Sequence, residues 1–385
     1  MFDIRITNLI SASLFGTEAS IDSRDLETVF EQMKQQAVAV LPAGLLTELP
    51  LSEELRTEWK KHIYRQIFHF QTLARAEQEL LHALDELGVC TLVLKGTSAA
   101  RYYPTPQYRT MGDIDLLIKP ENHQQAAECL QKLGYVEDTN FLQTMKDRHR
   151  SFKKGNITVE LHRYFAEAST PIQNEVLDRY LFADMVPLRH TPTDLPNGLV
   201  LIEHIAQHLE TGIGLRQMVD WMMYVNAVLD DEMWEHSFRA AAQATGMEKL
   251  AITVTRMCQM YLGLPKSITW PSVADDTAAS DLMTYVLESG NFGNKREKLY
   301  SGTLTRLPPI TKPATLFRYL QHAGLLNWPA AQKHRFLKPF AWAYQLNHYI
   351  EVVAMNNMTL SQASKMREER KRRRELFDKI GIRKE

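Results

Sequence analysis

Asp113-Ile114-Asp115 puts two carboxylates two residues apart in DIDLLIKP, a stretch that alternates and ends at a proline as a β-strand does. Side chains two apart on a strand share a face, so both carboxylates project together while Ile114 enters the core. So close a pair repels itself and raises the pKa of one member, and a divalent cation between them removes that penalty. Hard oxygen ligands suit Mg²⁺ or Mn²⁺. A third carboxylate stands in NITVELHRYF, where Thr158, Glu160 and His162 alternate with core-directed Val159 and Leu161. If the two strands are neighbours, Glu160 joins the aspartates as a third metal ligand or as a general base. Taken singly, each of these residues is more often a solvent-facing strand residue than a catalyst.

Upstream, Lys95-Gly96-Thr97-Ser98 joins the end of the apolar run VCTLVLKG to the start of TSAARYY, which has the composition of a helix start. Glycine permits close backbone approach to a phosphate, and helix-start N–H groups bind anions. The Thr97 and Ser98 hydroxyls are candidate donors to phosphate oxygens, and Lys95 or Arg109 can neutralise charge. The bland alternative is a tight strand–helix turn with N-caps. His149, in DRHRSF, and His162 are candidates for acid/base chemistry near neutral pH, or for a histidine that orients Glu160 by a hydrogen bond. His204 and His208 are one helical turn apart and, lacking a third ligand nearby in sequence, read as packing residues. Arg216 and Asp220 read either as an intrahelical pair or as placing Arg216 at the cleft, near triphosphate or acceptor.

The elements that position these residues are legible as changes of period. From about residue 21 to 87, apolar residues fall at three- and four-residue spacings, with a break at Pro42, Gly44 and Pro50, a start at Ser52 and a stop at Gly88. VCTLVLKG, DIDLLIKP and NITVELHRYF read as strands, with ENHQQAAECLQKLGY as a helix between the last two. From Gly198 onward the pattern is helical again. The expectation is an α+β, predominantly helical chain: an N-terminal helical region (1–87), a small mixed-sheet core (88–195) and a C-terminal helical domain (196–385) with a basic tail (365–385).

Composition narrows the class. A 44% hydrophobic and 24% charged content is that of a soluble globular protein. No apolar run reaches the length of a membrane span, and MFDIRITNLISASLF lacks the basic start of a cleaved signal peptide, so a cytoplasmic chain is expected. Cys90, Cys129 and Cys258 are too widely spaced for a zinc site and read as reduced thiols. The net charge of −1 hides an asymmetry: residues 365–385 hold ten Lys/Arg against five Asp/Glu, a local +5, and the remainder carries −6. That tail is a solvated helix or a contact for an anionic partner such as RNA.

The order of the pieces resembles the polymerase β nucleotidyltransferase superfamily: a strand with Lys95-Gly96-Thr97-Ser98, then Arg109, then Asp113 and Asp115, then Glu160. More closely, LVLKGTSAARYYPTPQYRTMGDIDLLIKPENHQQAAECLQKLGY followed by VELHRYF looks like the bacterial family of uncharacterised nucleotidyltransferases. A similar KGGT…R…DIDL block occurs in type IV abortive-infection toxin nucleotidyltransferases. The likeness is specific over roughly residues 85 to 165 and looser at His204, His208 and LRQMVDW. It departs at Thr97, where the superfamily turn carries a smaller residue. The resemblance implies a polymerase β-type core that transfers a nucleoside monophosphate from an NTP to an acceptor hydroxyl and releases pyrophosphate. Asp113, Asp115 and Glu160 would hold Mg²⁺ or Mn²⁺. Lys95, Gly96, Thr97, Ser98, Arg109 and Arg216 would bind nucleotide, with Arg109 orienting the acidic strand or touching phosphate. The acceptor is open among a small molecule, a protein side chain and an RNA end. A non-catalytic nucleotide-binding or regulatory protein, or a toxin–antitoxin-like component on the same fold, is the alternative.

Overall fold

The computed structural model describes residues 4–18, 21, 24–138, 149–165, 171–209, 212–289, parts of 317–347, and 371–382. The chain divides into two compact units, residues 1–292 with 376–385 and residues 293–375.

In the first unit, α1 (Ile4–Phe15) and α2 (Leu26–Gln35) precede the 34-residue α3 (Glu53–Glu86). Ser52 caps α3 by accepting a 3.2 Å hydrogen bond from the Leu55 N–H, and the chain leaves through Gly88 at φ +70°, as the left-handed residue after a helix. The two ends of α3 serve different cores. Trp59 and Ile63 pack with the helical part of the unit, whereas Leu73, Ala76, Leu80 and Leu84 lie on the sheet.

The sheet runs in the order β1-β2-β5-β4-β3, from β1 (Thr91–Val93), β2 (Ile114–Ile118), β3 (Val136–Glu137), β4 (His149–Lys154) and β5 (Ile157–His162). The β2–β5 pair is parallel and the others antiparallel, so the sheet is mixed as expected. One face carries Ile114, Leu116, Val159 and Leu161 onto α3 and α5 (His123–Lys132), in a predominantly apolar layer. The opposite face is the one on which Asp115 and Glu160 stand.

Two of these strands are not apparent from apolar period. HRSFKK offers only Phe152 to the core, and β4 is tied to its neighbourhood by charge: the Arg150 guanidinium holds both Glu137 oxygens at 2.7 and 2.6 Å, and Lys153 reaches Asp138 at 2.8 Å. The helix begun by TSAARYY is a single turn, α4 (Thr97–Ala100).

After β5 come α6 (Pro171–Asp184), α7 (Asp194–His208), α8 (Leu215–Val228), α9 (Asp231–Met233) and α10 (Arg239–Ala244), the last two flanking a π-turn at Trp234–Phe238, then α11 (Glu248–Tyr261) and α12 (Asp276–Ser289). Leu201, Ile205, Met218, Trp221, Val254 and Leu282 join Leu9, Phe30 and Met33 of the first helices in one core. N-terminal and C-terminal helices are therefore parts of one packed layer.

The second unit, among its described residues, has a 3₁₀ turn at Arg335–Phe340 followed by helical residues 341–347. Within the basic tail, residues 371–380 are helical: Lys371, Arg372 and Arg374 are exposed, and Leu376 and Ile380 are buried, while Arg370 lies outside the described residues. The three cysteines are free thiols, Cys90 half-buried and the other two buried. No helix among the described residues is long and apolar enough to cross a membrane.

Candidate metal and nucleotide site

The parallel pairing of β2 and β5 sets Asp115 directly opposite Glu160 and Ile114 opposite Val159. Alternation then does what the sequence pattern requires: the apolar residues fill the core on one face and the carboxylates meet on the other. Asp113, just before β2, completes the set, and one ligand atom from each of Asp113, Asp115 and Glu160 lies within 4.8 Å of the other two.

The three carboxylates are not equivalent. Asp115 is buried, which pushes its pKa up, but Lys95 and His162 outweigh burial and hold it far below the usual carboxylate range. The Lys95 ammonium donates to Asp115 Oδ1 at 2.8 Å, and His162 Nε2 stands 3.0 Å from the same oxygen and 3.4 Å from Glu160 Oε2. Burial raises the Glu160 pKa too, and its hydrogen bond with His162 brings it below normal. Among the described residues Asp113 has no such partner. The negative charge of Asp115, then burial, lift its pKa to about 6 against the pull of Lys95. His162 itself is raised, because its bonds to Asp115 and Glu160 override a burial that alone would lower it. A carboxylate lifted by its neighbour's charge, within a set of hard oxygens, is an arrangement whose repulsion a divalent cation would relieve.

The turn that precedes this strand needs its glycine. Gly96 sits at φ +56°, and a Cβ there would lie 2.9 Å from Met111 Cε, two residues before Asp113. Both hydroxyls of the turn face inward. Thr97 Oγ1 donates to Glu77 Oε1 at 2.5 Å, and the buried Ser98 Oγ has no hydrogen-bond partner among the described residues. Asn197 of α7 donates to the Ser98 carbonyl at 3.1 Å and so ties the turn to the helical layer.

Glu77 is a site residue that sequence period misses. It is only 5% exposed, its Oε2 has no hydrogen-bond partner among the described residues, and that oxygen lies 3.9 Å from where a Gly96 Cβ would be. Burial lifts its pKa to about 7, against the Thr97 hydrogen bond and with help from Asp115. The signal was present: Leu73, Glu77, Leu80 and Leu84 form one helical stripe, and a carboxylate interrupts it. The raised value has a signed consequence. The stability conferred by the neutral acid is fully present below the unfolded value near 4.5 and is lost as pH rises through about 7. Glu77→Gln keeps the acceptor for Thr97 and never ionises. It is expected to match wild-type stability at pH 4.5 and to exceed it by about 2–3 kcal/mol at pH 8 in urea melts. The same difference at both pH values would contradict the assignment.

Arg109 is engaged with a helix far along the chain. Its guanidinium is 2% exposed and donates to both oxygens of Asp220, from Nε at 2.8 Å and from Nη2 at 2.8 Å, while the Tyr103 hydroxyl donates to Asp220 Oδ1 at 2.7 Å. A guanidinium so committed is placed to orient the approach to β2, the first of the two readings its position allows. The intrahelical Arg216–Asp220 pair does not form, because Arg109 has taken Asp220. Arg216 Nη1 instead donates to the Thr110 carbonyl at 3.1 Å, and its charge draws the Asp113 pKa down. Arg216 is thus a cation beside Asp113.

His204 and His208 of α7 stack edge to face at 4.6 Å, and both are held neutral by burial and then by the charge of Lys95, His208 down to about 4. His149 of β4 pairs directly opposite His162, with ring centroids 5.1 Å apart.

A family model described as "Uncharacterised nucleotidyltransferase" matches residues 22–263, from ahead of α2 to the end of α11, and so covers every residue of this site. No curated protein and no solved structure matches the chain.

Proposed function

The chain belongs to the family of uncharacterised nucleotidyltransferases, and from that premise we propose that it transfers a nucleoside monophosphate from an NTP to an acceptor hydroxyl, releasing pyrophosphate. The observation that carries this reading is the in-register pairing of Asp115 with Glu160, which with Asp113 gathers three carboxylates within 4.8 Å. The donor set fits Mg²⁺ or Mn²⁺, since all three ligands are hard oxygens and the excess negative charge is felt at Asp113. Such an ion, when bound, supplies the positive charge that phosphate oxygens need and acidifies an acceptor hydroxyl.

The chain's own residues do the rest. Asp113, Asp115 and Glu160 hold the cation on one sheet face. Lys95 and Arg216 bracket it with positive charge, suited to the β- and γ-phosphates. Lys95-Gly96-Thr97-Ser98 brings backbone close to the triphosphate, and Arg109 fixes the approach to β2 through Asp220. The polymerase β-type chemistry expected from sequence is the template for these roles. Lys371, Arg372 and Arg374, exposed in the tail, favour RNA among the acceptors left open.

The test follows the phosphorus atom. With each NTP in turn, Mg²⁺ or Mn²⁺ and a cell extract, label at the α-phosphate should move to an acceptor, and label at the γ-phosphate should leave in pyrophosphate. Label from the γ-position on the acceptor, or no α-label transferred from any NTP, would remove the proposal.

A further inference from the structure

We infer that the sheet carries a second cation site, built by His149, Glu160 and His162, that takes a nitrogen-preferring divalent transition ion of the zinc class. It goes beyond the proposed function and meets it only at Glu160, which both ligand sets share. Antiparallel pairing places His149 opposite His162 and Ser151 opposite Glu160, so the two imidazoles and the carboxylate rise from the same face of adjacent strands. One ligand atom from each lies within 4.8 Å of the other two. Around an ion at about 2.0–2.2 Å, ligand atoms are roughly 3–3.5 Å apart, so closure asks the three ligand atoms to draw together by less than roughly 2 Å.

The donor chemistry sets this cluster apart from its neighbour. Asp113, Asp115 and Glu160 offer oxygen alone, the preference of Mg²⁺. Two imidazoles and one carboxylate form a ligand set of catalytic zinc sites, in which a further coordination position stays open to water or substrate. His162 stands between the sets, 3.0 Å from Asp115 and 3.4 Å from Glu160. Glu160, with two oxygens, can bridge, giving adjacent ions of unlike preference: one oxygen-ligated and one nitrogen-ligated.

The experiment uses the full chain, stripped of metal with a chelator and titrated with Co²⁺ as a coloured zinc stand-in, in the presence of excess Mg²⁺. The expected result is one equivalent of Co²⁺ with the intense visible absorption of a low-coordinate nitrogen/oxygen site. His149→Ala should weaken that binding roughly a hundredfold, since losing a ligand costs at least as much as losing an outer-shell partner. His149→Gln is the second variant, should the alanine form fail to fold. Asp113→Asn should leave the Co²⁺ spectrum unchanged. Binding that survives both His149 variants, that Mg²⁺ displaces, or that disappears in Asp113→Asn would overturn the second site. Co²⁺ binding that follows His149, in a chain that transfers no α-label, would keep this site and sink the proposed activity. α-Label transfer without His149-dependent Co²⁺ binding would do the reverse.

Discussion

Asp113→Asn should yield a protein that is more stable than wild type above pH 6 and nearly unable to transfer nucleotide. Asp113 is the carboxylate of the three without a fixed partner among the described residues, and the charge of Asp115 lifts its pKa to about 6. The sign follows from the raised value. The protonated acid contributes fully below about pH 4, and that contribution is lost as pH rises through about 6, so wild type carries a repulsion at neutral pH that asparagine relieves. In metal-free buffer the gain should be about 1–3 kcal/mol at pH 8 and should vanish near pH 4. Transfer of α-label should fall by roughly 10³-fold or more, the equivalent of about 4 kcal/mol of transition-state stabilisation lost with a metal ligand. Asp115→Asn should lose activity too, but with the opposite effect on stability, because Asp115 answers both Lys95 and His162 and is held ionised by them. Urea melts at the two pH values, paired with the label assay, measure both. Two aspartates two residues apart that shift stability in opposite directions while both abolish transfer fit a metal site. If both variants destabilise equally, or if either keeps wild-type transfer, the carboxylates are structural.

How far this could be foreseen depends on which signals are local. Period-2 alternation in DIDLLIKP and NITVELHRYF is carried by a few adjacent residues, and the strands β2 and β5 with their inward and outward faces follow from it. The pairing of Asp115 with Glu160 is not local: a shift by two residues would keep every side chain on its face and separate the carboxylates. Family membership was legible for a related reason, since the order of Lys95-Gly96, the paired aspartates and Glu160 survives without knowledge of register. β4 is hidden because HRSFKK gives the core only Phe152, and its six-residue ladder with β5 is a pairing that no apolar stripe announces. Glu77 was visible as a flaw in an apolar stripe, but its partner Thr97 is twenty residues away in another element. Arg109 invited assignment to phosphate for the same reason. An arginine near paired aspartates looks like an anion ligand until its own anion, Asp220, 111 residues on, is found.

That pair gives the second large effect. Arg109 and Asp220 are 2% and 1% exposed, and each satisfies the other in a two-point bond that Tyr103 completes. Removing one partner strands a buried charge, so Arg109→Met should destabilise the chain by about 3–5 kcal/mol. Arg109→Lys should recover little, because one ammonium cannot occupy both carboxylate oxygens. Arg109→Met combined with Asp220→Asn should regain much of the loss, since no unpaired charge then remains, and a urea-melt double-mutant cycle measures the coupling. The combined variant also separates stability from positioning. Arg109 is four residues before Asp113, and Arg216 grips the intervening Thr110 carbonyl from the same helix, α8, that supplies Asp220. With the two-point bond gone, the approach to β2 is tied to α8 by fewer bonds, Arg216 among them, and the carboxylate set is held less exactingly than bound phosphate demands. The stable combined variant should therefore show a raised KM for NTP and an unmoved pH profile, because the groups that titrate are untouched. Wild-type KM in that variant would confine the Arg109–Asp220 pair to holding the fold.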